Sequence, residues 1–365
     1  MSPAAIDSSR STGFYVPEFD SLRALAVGSV MIAHFSPTLS RFADWGPIGV
    51  RLFFVLSGFL ITQLLLRARR KIDAGAATPN SELRRFFVRR LFRLWPLYFA
   101  SLLAAYAQHL DGTQTNIWWH LLFATNHYVF HYQEWPGLLS HFWTLAVEQQ
   151  FYFVWPFAIL LLAWPALPRL FAVLLVAGPA TRAVLLGFGF SQPEYVYVLL
   201  PCCFDFFALG GIVAWRCQPG RHGQIARHGL LRAAILGLFA WLVLGGVLRT
   251  TGHVPRYWVV FDALIQAAGF AALLAYLLQN PASPAARPLR WPVLVYLGQI
   301  SYGIYIFHNF MHWVAPSILL RLTGRAYFSS EIIHVLFLSG CAVAIAAASF
   351  HLFEDPIRKF GRRLA

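Results

Sequence analysis

The 365-residue chain is unusually apolar, with 58% hydrophobic and only 12% charged residues. Soluble domains contain roughly 45–50% apolar and roughly 25% charged residues, so this composition excludes an ordinary multidomain soluble protein. The formal net charge is +14, yet the basic residues cluster in short segments between apolar blocks, as membrane topology signals do. Binding to nucleic acid is therefore not expected.

The apolar blocks predict an all-α fold, a polytopic integral membrane helical bundle of about ten transmembrane helices. The predicted spans lie at approximately 22–40, 46–66, 94–110, 141–163, 170–190, 196–215, 231–248, 258–278, 293–318 and 331–353. The expected organisation is a cytoplasmic N-terminal segment over residues 1–20, a transmembrane domain over 21–353 and a basic cytoplasmic tail over 354–365. The first 20 residues lack the basic-then-apolar pattern of a cleaved signal peptide, so the first membrane helix is expected to stay.

Arg and Lys residues give the predicted bundle its orientation. The connection 67–93 carries nine of them and is assigned to the cytoplasm, which fixes the side of every other loop. With that assignment 22 basic residues lie inside and five outside, which predicts cytoplasmic termini. The longest outer connection, 111–140, has no Lys or Arg and is rich in Trp and His, so it is expected to lie along the outer interface.

The four cysteines form no C-x-x-C pair and have no spacing typical of a zinc site. Neither a disulfide framework nor a bound metal is expected. The favoured interpretation is that the four cysteines are small apolar packing residues. The four are Cys202, Cys203, Cys217 and Cys341.

The first candidate site residues are Arg23 and His34, eleven residues apart in span one. Eleven residues make about three helical turns, so both side chains are expected on one helix face with a rise of about 16 Å between them. A charge inside a membrane persists only where something uses or pairs it. The alternative is that Arg23 is a snorkelling anchor and His34 a packing residue with a satisfied hydrogen bond.

The second candidate group is Arg90 and Arg93, at the end of a basic stretch that begins at Arg84. Because the two residues are three apart, they share a helix face and offer two forked guanidiniums suited to phosphate. The alternative is that they contact anionic lipid, as many basic segments beside a membrane do.

The third candidate group opens span four, where Thr144, Glu148 and Tyr152 recur every four residues and share a helix face. A carboxylate inside a membrane with a hydroxyl on each side favours a functional role. The alternative is a structural role for Glu148, such as neutralising Arg51 at the outer end of span two. Asp205 and Asp262 are weaker candidates that are free to pair with a basic neighbour.

Five motifs occur in a fixed order along the chain: Arg23-x10-His34, the block from Gly49 to Leu60 (GVRLFFVLSGFL), Arg90-x-x-Arg93, the segment from Trp143 to Tyr152, and Ser301 to His308 (SYGIYIFH). With these motifs the chain resembles, over nearly its whole length, the membrane acyltransferase type 3 family. Thr144 stands where the family usually has Ser, which keeps a hydroxyl there. The chain also ends soon after span ten, so the resemblance implies the form without the fused extracytoplasmic domain of some relatives.

The resemblance implies transfer of an acyl group from cytoplasmic acyl-CoA to a hydroxyl of a carbohydrate or glycosylated acceptor. The acceptor could be a surface polysaccharide, a lipid-linked sugar or a glycosylated metabolite. Acyl-CoA would be a co-substrate, with no cofactor or metal bound permanently. The expected location is the cytoplasmic (inner) membrane of a bacterium, with the lipid bilayer as surroundings. The acyl group, the acceptor and the oligomeric state are left open.

The resemblance also suggests roles for the candidate residues. Arg23, Arg90 and Arg93 would hold the phosphates of coenzyme A. His34 would be the general base, because a histidine removed from water is neutral near pH 7. Glu148 would orient that imidazole or hold the acceptor. Supporting or acceptor-binding roles are expected for Arg51, Ser57, Thr144, Tyr152, Ser301 and His308.

Two alternatives stay open. An acyl-enzyme intermediate on Ser57 or Thr144 competes with direct transfer, which is preferred because the sequence assigns neither hydroxyl a base. A polytopic transporter or flippase for glycans or lipids would use Arg23, His34 and Glu148 as a substrate or proton path. The basic pair Arg90-x-x-Arg93 favours the enzyme, because a transporter has no general reason to place it within reach of a coenzyme.

Overall fold

The computed structural model describes residues 15–110, 113–190, 192–218, 228–253, 255, 258–324, 328 and 330–365. Within this part of the chain the secondary structure is helical and contains no β-strand, as the sequence predicts. Residues 1–14 of the predicted N-terminal segment and residues 219–227 of the predicted cytoplasmic connection 216–232 lie outside the described ranges.

Within the described ranges, the structure has α-helices along the whole of the predicted membrane domain. In chain order they are α1 (Pro17–Phe35), α2 (Pro37–Ser40), α3 (Trp45–Asp73), α4 (Pro79–Ala107), α5 (Thr113–Leu121), α6 (Thr125–Tyr132), α7 (Phe142–Leu161), α8 (Leu167–Gly187), α9 (Pro193–Val196), α10 (Phe204–Arg216), α11 (His228–Thr250), α12 (Trp258–Gln279), α13 (Pro292–Gln299), α14 (Ser301–Phe307), α15 (Met311–Thr323), α16 (Glu331–Ser349) and α17 (Asp355–Leu364). One π-helical turn, Phe350–Glu354, joins α16 to α17.

Five described helical stretches are long and apolar enough to cross a membrane by length and composition. This agrees with an all-α membrane protein. The count of ten spans and the side of the termini stay predictions. The five stretches are Trp45–Asp73, Trp164–Gly187, Leu231–Thr250, Val260–Gln279 and Glu331–Leu364.

The basic connection 67–93, which lies between the second and third predicted spans, is mostly helical. Helix α3 continues to Asp73, and α4 begins at Pro79. Thr78 and Ser81 form a capping box at this start, and proline suits the first helical position because its missing N–H needs no partner there. Hydropathy alone missed the first turns of α4 because they are basic rather than apolar. Arg90 and Arg93 consequently lie within a helix.

The predicted continuous span 293–318 is divided into α13, α14 and α15. At the first break, Gly298 packs so closely on the backbone of Asp20 that a Cβ atom would overlap its carbonyl oxygen. At the second break, the His308 imidazole donates from Nδ1 to the carbonyl oxygen of Tyr305 at 2.6 Å. These interruptions expose short helix ends inside the bundle, where side chains can turn toward a cavity.

Helices α1, α3, α7 and α10 form the centre of the bundle and pack around one aromatic core. Phe151 of α7 stacks on Phe207 of α10, with ring centroids 4.0 Å apart. Helices α3 and α10 approach at Gly58 and Gly210, where an added Cβ atom would meet the backbone of the facing helix. The close crossing fixes the position of α3, which contributes residues to both large cavities.

Candidate functional site

Two cavities lie on opposite sides of one layer of side chains. The first has a volume of about 280 Å³ and is bordered by α1, α3, α4, α7, α13 and α14. The second has a volume of about 680 Å³ and is bordered mainly by α1, α3, α7, α10, α12 and the segments next to them. Val50, Phe54 and Tyr305 line both cavities, so a single side-chain layer separates them.

Arginine side chains dominate the charge of the first cavity. Arg23, Arg67, Arg90 and Arg93 line it together with the single carboxylate of Glu148, counting only residues the structure describes. Arg23 donates to Asp20 at 2.7 Å. The salt bridges found in the described ranges include neither Arg90 nor Arg93. The cavity therefore offers positive charge to an anion.

Arg90 and Arg93 face the same cavity, as their spacing on α4 predicts. The Arg90 guanidinium also lies over the ring of Tyr152, 5.8 Å from its centroid. A cation–π contact of this kind holds the guanidinium beside the ring while leaving its N–H groups for a ligand.

Ser57 and Glu148 form a hydrogen-bonded pair in the first cavity, with the serine hydroxyl donating to the carboxylate. The hydroxyl of Tyr152 is 3.5 Å from the Ser57 oxygen. A hydroxyl held by a carboxylate has the arrangement of a nucleophile with its base. The sequence could not assign this base, because the two residues are 91 positions apart on α3 and α7.

Thr144 also lines the first cavity, so all three polar positions of span four face it as predicted. Its hydroxyl donates to the carbonyl oxygen of His141 at 3.1 Å and is 2.6 Å from the hydroxyl of Tyr305. Thr144 therefore holds a residue of the dividing layer. Buried Ser301 lies on the same cavity wall.

His34 lies in the second cavity. Its Nδ1 donates to the carbonyl oxygen of Val30 at 2.9 Å, because a carbonyl can only accept. In the neutral ring this leaves Nε2 as the acceptor. The backbone of α1 thereby sets the tautomer that a general base requires.

A second histidine packs against His34. The rings of His34 and His308 meet edge to face, with centroids 4.9 Å apart. His308 is fully buried, and its Nε2 has no hydrogen-bond partner. The ring of His141 is 5.0 Å from that of His308. Within the described residues, no group of His, Cys, Asp or Glu has an arrangement that could hold a metal.

The structure corrects one part of the predicted site. Arg23 and His34 lie on the same helix but in different cavities, and Glu148 lies with Arg23. The hydrogen bonds found in the described part of the chain join Glu148 to Ser57 and His34 to the Val30 carbonyl. Direct orientation of the His34 imidazole by Glu148 is therefore not what the structure shows. At His34, the contact that sequence reasoning missed is the one with His308.

Arg51 is neutralised by Asp262, and not by Glu148 as the structural alternative supposed. The buried Arg51 donates to Asp262 at 2.6 Å. The second oxygen of Asp262 accepts from Trp241 at 2.9 Å and from Gln266 at 2.7 Å. A buried charge pair with its remaining acceptors satisfied is the arrangement that persists in an apolar interior.

Asp205 is paired in a similar way. It accepts two hydrogen bonds from Arg182, at 2.9 and 2.7 Å, and both side chains are fully buried. The expectation that the two weaker candidates, Asp205 and Asp262, pair with basic neighbours is confirmed. The four cysteines are free thiols, and three of them are buried.

Comparison with known proteins identifies the family. Residues 16–351 match a family model described as an acyltransferase domain, acyltransferase 3. The chain belongs to this family. The matched region includes all the residues that line the two cavities.

Several curated relatives are similar over most of the chain. Peptidoglycan O-acetyltransferase OatA of Listeria monocytogenes is 27% identical over 95% of this chain and 56% of its own length. YrhL of Bacillus subtilis is 29% identical over 96% of this chain and 56% of its own. O-acetyltransferase OatA of Staphylococcus aureus is 26% identical over 95% of this chain and 58% of its own. The chain thus spans little more than half the length of these relatives. No solved structure is significantly similar to it.

Proposed function

We propose that the chain is a membrane O-acyltransferase that transfers an acyl group from acyl-CoA to a hydroxyl of a carbohydrate acceptor. The observation that carries the proposal is the pair of cavities, one rich in arginine and one containing His34, with one side-chain layer between them. Relatives named peptidoglycan O-acetyltransferase and O-acetyltransferase support an acetyl group and a glycan.

The first cavity would hold the donor. Coenzyme A carries several phosphates, and Arg90 and Arg93 present guanidinium forks that can bind phosphate oxygens in pairs. Arg23 adds a third guanidinium from α1. The rise of about 16 Å from Arg23 to His34 is comparable with the length of an extended pantetheine arm. The thioester could therefore reach the dividing layer while the nucleotide stays on the arginines.

The second cavity would hold the acceptor and supply the base. Nε2 of His34 takes the proton from the acceptor hydroxyl as its oxygen bonds to the thioester carbonyl carbon. The carbon–sulfur bond then breaks, and the coenzyme A thiolate takes up the proton that His34 had accepted, which returns the imidazole to its neutral form. The products are the O-acyl ester and free coenzyme A.

The thioester and the acceptor hydroxyl must meet at the layer formed by Val50, Phe54 and Tyr305. The hydroxyl of Tyr305 is tied to Thr144 and to the carbonyl oxygen of His141, at 2.6 and 3.1 Å. Reaction therefore requires the acyl group to pass beside this ring or to displace it. The Thr144 hydroxyl, which stands where the family usually has a serine hydroxyl, therefore positions Tyr305 in the proposed reaction.

The pair of Ser57 and Glu148 keeps the covalent alternative open. In that route Glu148 takes the serine proton, the serine oxygen bonds to the acyl carbon, and the thiolate leaves with the proton. The acceptor then attacks the ester on Ser57. We keep direct transfer as the preferred route. An ester on Ser57 would lie in the first cavity, whereas His34, the base that would activate the acceptor, lies in the second.

The test is transfer by the purified full chain in nanodiscs. We expect label from [14C]acetyl-CoA to appear on a glycan acceptor in an alkali-labile ester, with release of one coenzyme A thiol for each ester formed. The control omits the acceptor. Movement of a glycan across proteoliposomes without any esterification would instead support the transporter.

A further inference from the structure

The two cavities differ in charge as well as in volume. In the described residues, the first has four guanidiniums and one carboxylate in its lining, whereas the second has two guanidiniums and three carboxylates. Both guanidiniums of the second cavity are already occupied: Arg51 pairs with Asp262, and Arg249 pairs with Asp44. The remaining carboxylate belongs to Glu194, whose side chain is exposed.

This charge arrangement disfavours an anionic ligand in the second cavity. A carboxylate or phosphate entering it would have to displace an existing ion pair or approach the carboxylate of Glu194, and an ion left unpaired in a membrane interior is costly. Coenzyme A and the ligand of the second cavity are thus separated by charge. An anionic donor is attracted to one side of the dividing layer, and the other side favours an uncharged molecule.

Aromatic rings form much of the second cavity. They include Trp135, Trp143, Trp258, Tyr197 and Tyr305. The ring of Trp258 is held rigidly, because it stacks on Trp241 with parallel planes and centroids 4.2 Å apart. An aromatic face carries negative charge density and attracts the slightly positive C–H groups of a sugar ring. A wall of this kind binds sugar faces without needing a formal charge.

Resting on the function proposed above, we infer that the second cavity binds an uncharged sugar, with sugar rings against the tryptophans and a free hydroxyl near His34. The volume of about 680 Å³ lies within the range of small-molecule sites, roughly 300–1,000 Å³. The inference commits the enzyme to acceptors whose acylated region carries neither carboxylate nor phosphate.

The first experiment measures sugar binding without turnover. The full chain in nanodiscs is titrated calorimetrically with chitotriose, which is uncharged, and with trigalacturonic acid, which has three carboxylates. We expect chitotriose to bind at least about tenfold more tightly. Equal binding, or tighter binding of the acidic trimer, would overturn the inference.

Matched variants locate the binding. Trp135→Ala removes a ring that lines the second cavity and is 39% exposed, whereas Trp118→Ala removes a ring that is 69% exposed and lies outside its lining. We expect Trp135→Ala to weaken chitotriose binding about tenfold and Trp118→Ala to leave it unchanged. Glu194→Gln should reduce the difference in affinity between chitotriose and trigalacturonic acid. Equal chitotriose affinity in both tryptophan variants, at equal melting temperature, would place the sugar elsewhere.

The outcome is separable from the proposed function. If the protein acetylates acidic and uncharged trimers at the same rate, this inference fails and the acyltransferase stands. If chitotriose binds as expected but no condition produces acyl transfer, the sugar site stands and the proposed enzyme fails.

Discussion

At the level of single residues, a backbone carbonyl decides what His34 can do. The Val30 carbonyl occupies Nδ1 and leaves Nε2 for the cavity. His308, whose own Nδ1 is held by the Tyr305 carbonyl, lies against it. The neutral imidazole that donates from one nitrogen keeps its other nitrogen as an acceptor, which is the form that a general base requires before reaction.

We predict that His34→Gln folds normally and loses transfer by about 10²- to 10⁴-fold, the usual cost of removing a general base. Glutamine keeps a polar side chain of similar reach but cannot take up a proton near neutral pH. The measurement pairs the transfer rate at saturating acyl-CoA with the melting temperature in the same nanodiscs.

His34→Ala should lose transfer to the same extent, which makes it the matched comparison. If the histidine only packed and accepted a hydrogen bond, Gln would retain activity and Ala would lower the melting temperature. Near-normal turnover by His34→Gln would contradict this role of His34 and would favour Glu148, the partner of Ser57, as the base.

The arginines of α4 allow a second prediction about single residues. The double variant Arg90→Ala, Arg93→Ala should weaken acyl-CoA binding by about 1–3 kcal/mol per lost charge-assisted contact and leave chitotriose binding unchanged. Lysine at both positions should restore only part of the affinity, because a point charge cannot reproduce the fork. Binding is measured by calorimetry with a non-hydrolysable acetyl-CoA analogue.

Arg84→Ala is the matched control, since Arg84 is exposed on the same helix and outside the first cavity. It should bind the analogue like the unmodified protein. Equal affinity in the double alanine variant, in Arg84→Ala and in the unmodified protein would show that Arg90 and Arg93 do not bind the coenzyme, and would favour contacts with lipid.

At the level of helices, the sequence predicts which residues share a face more successfully than where a helix breaks. The spacing of Thr144, Glu148 and Tyr152 predicts their shared face correctly. The sequence pattern does not predict the breaks after Gln299 and Phe307, because the segment is predominantly apolar. Contacts with residues distant in the chain lie at these breaks, with Asp20 at the first and with His34 at the second. Single-sequence patterns do not contain that information.

The crossing of α3 and α10 allows a prediction about packing. Gly58 and Gly210 each face the backbone of the other helix so closely that a methyl group would overlap it. Gly58→Ala should therefore force the helices apart and destabilise the protein by about 1–3 kcal/mol, the usual cost of overpacking. Because α3 lines both cavities, transfer should fall together with the melting temperature.

Gly340→Ala on α16 is the matched control, since nothing lies within 4 Å of its added Cβ atom. It should leave the melting temperature unchanged or raise it slightly, because alanine favours a helix. A Gly58→Ala protein as stable as Gly340→Ala would show that the two helices can separate freely.

At the level of the whole molecule, contacts join segments that the charge pattern assigns to one side of the membrane. Arg290 binds Glu18 at 2.6 Å, and both are expected in or beside the cytoplasm. Glu331 accepts hydrogen bonds from Ser36 and Thr38 at 2.5 Å, and all three are expected at the outer face. The sequence could predict these sides from loop charge, but it could not pair the loops, because pairing depends on the order of helices in space.

The last prediction concerns orientation. The basic tail lies against the basic end of α4, where the rings of Phe360 and Phe92 are 5.8 Å apart. The turn at Gly75, just before α4, belongs to the same basic region. Reporter fusions after residues 75 and 360 should therefore both report cytoplasm, because positively charged loops stay inside.

Fusions near residue 115, in the stretch 111–140 that lacks Lys and Arg, should report the outside. Expected positions 225 and 325 belong to the same map but lie outside the described residues. The side matters for the chemistry, since acyl-CoA is made in the cytoplasm and the arginine cavity must open there to receive it. A cytoplasmic signal at 115 together with an external signal at 75 would reverse the predicted topology. The first cavity, with its arginines, would then open on the side of the membrane that lacks acyl-CoA.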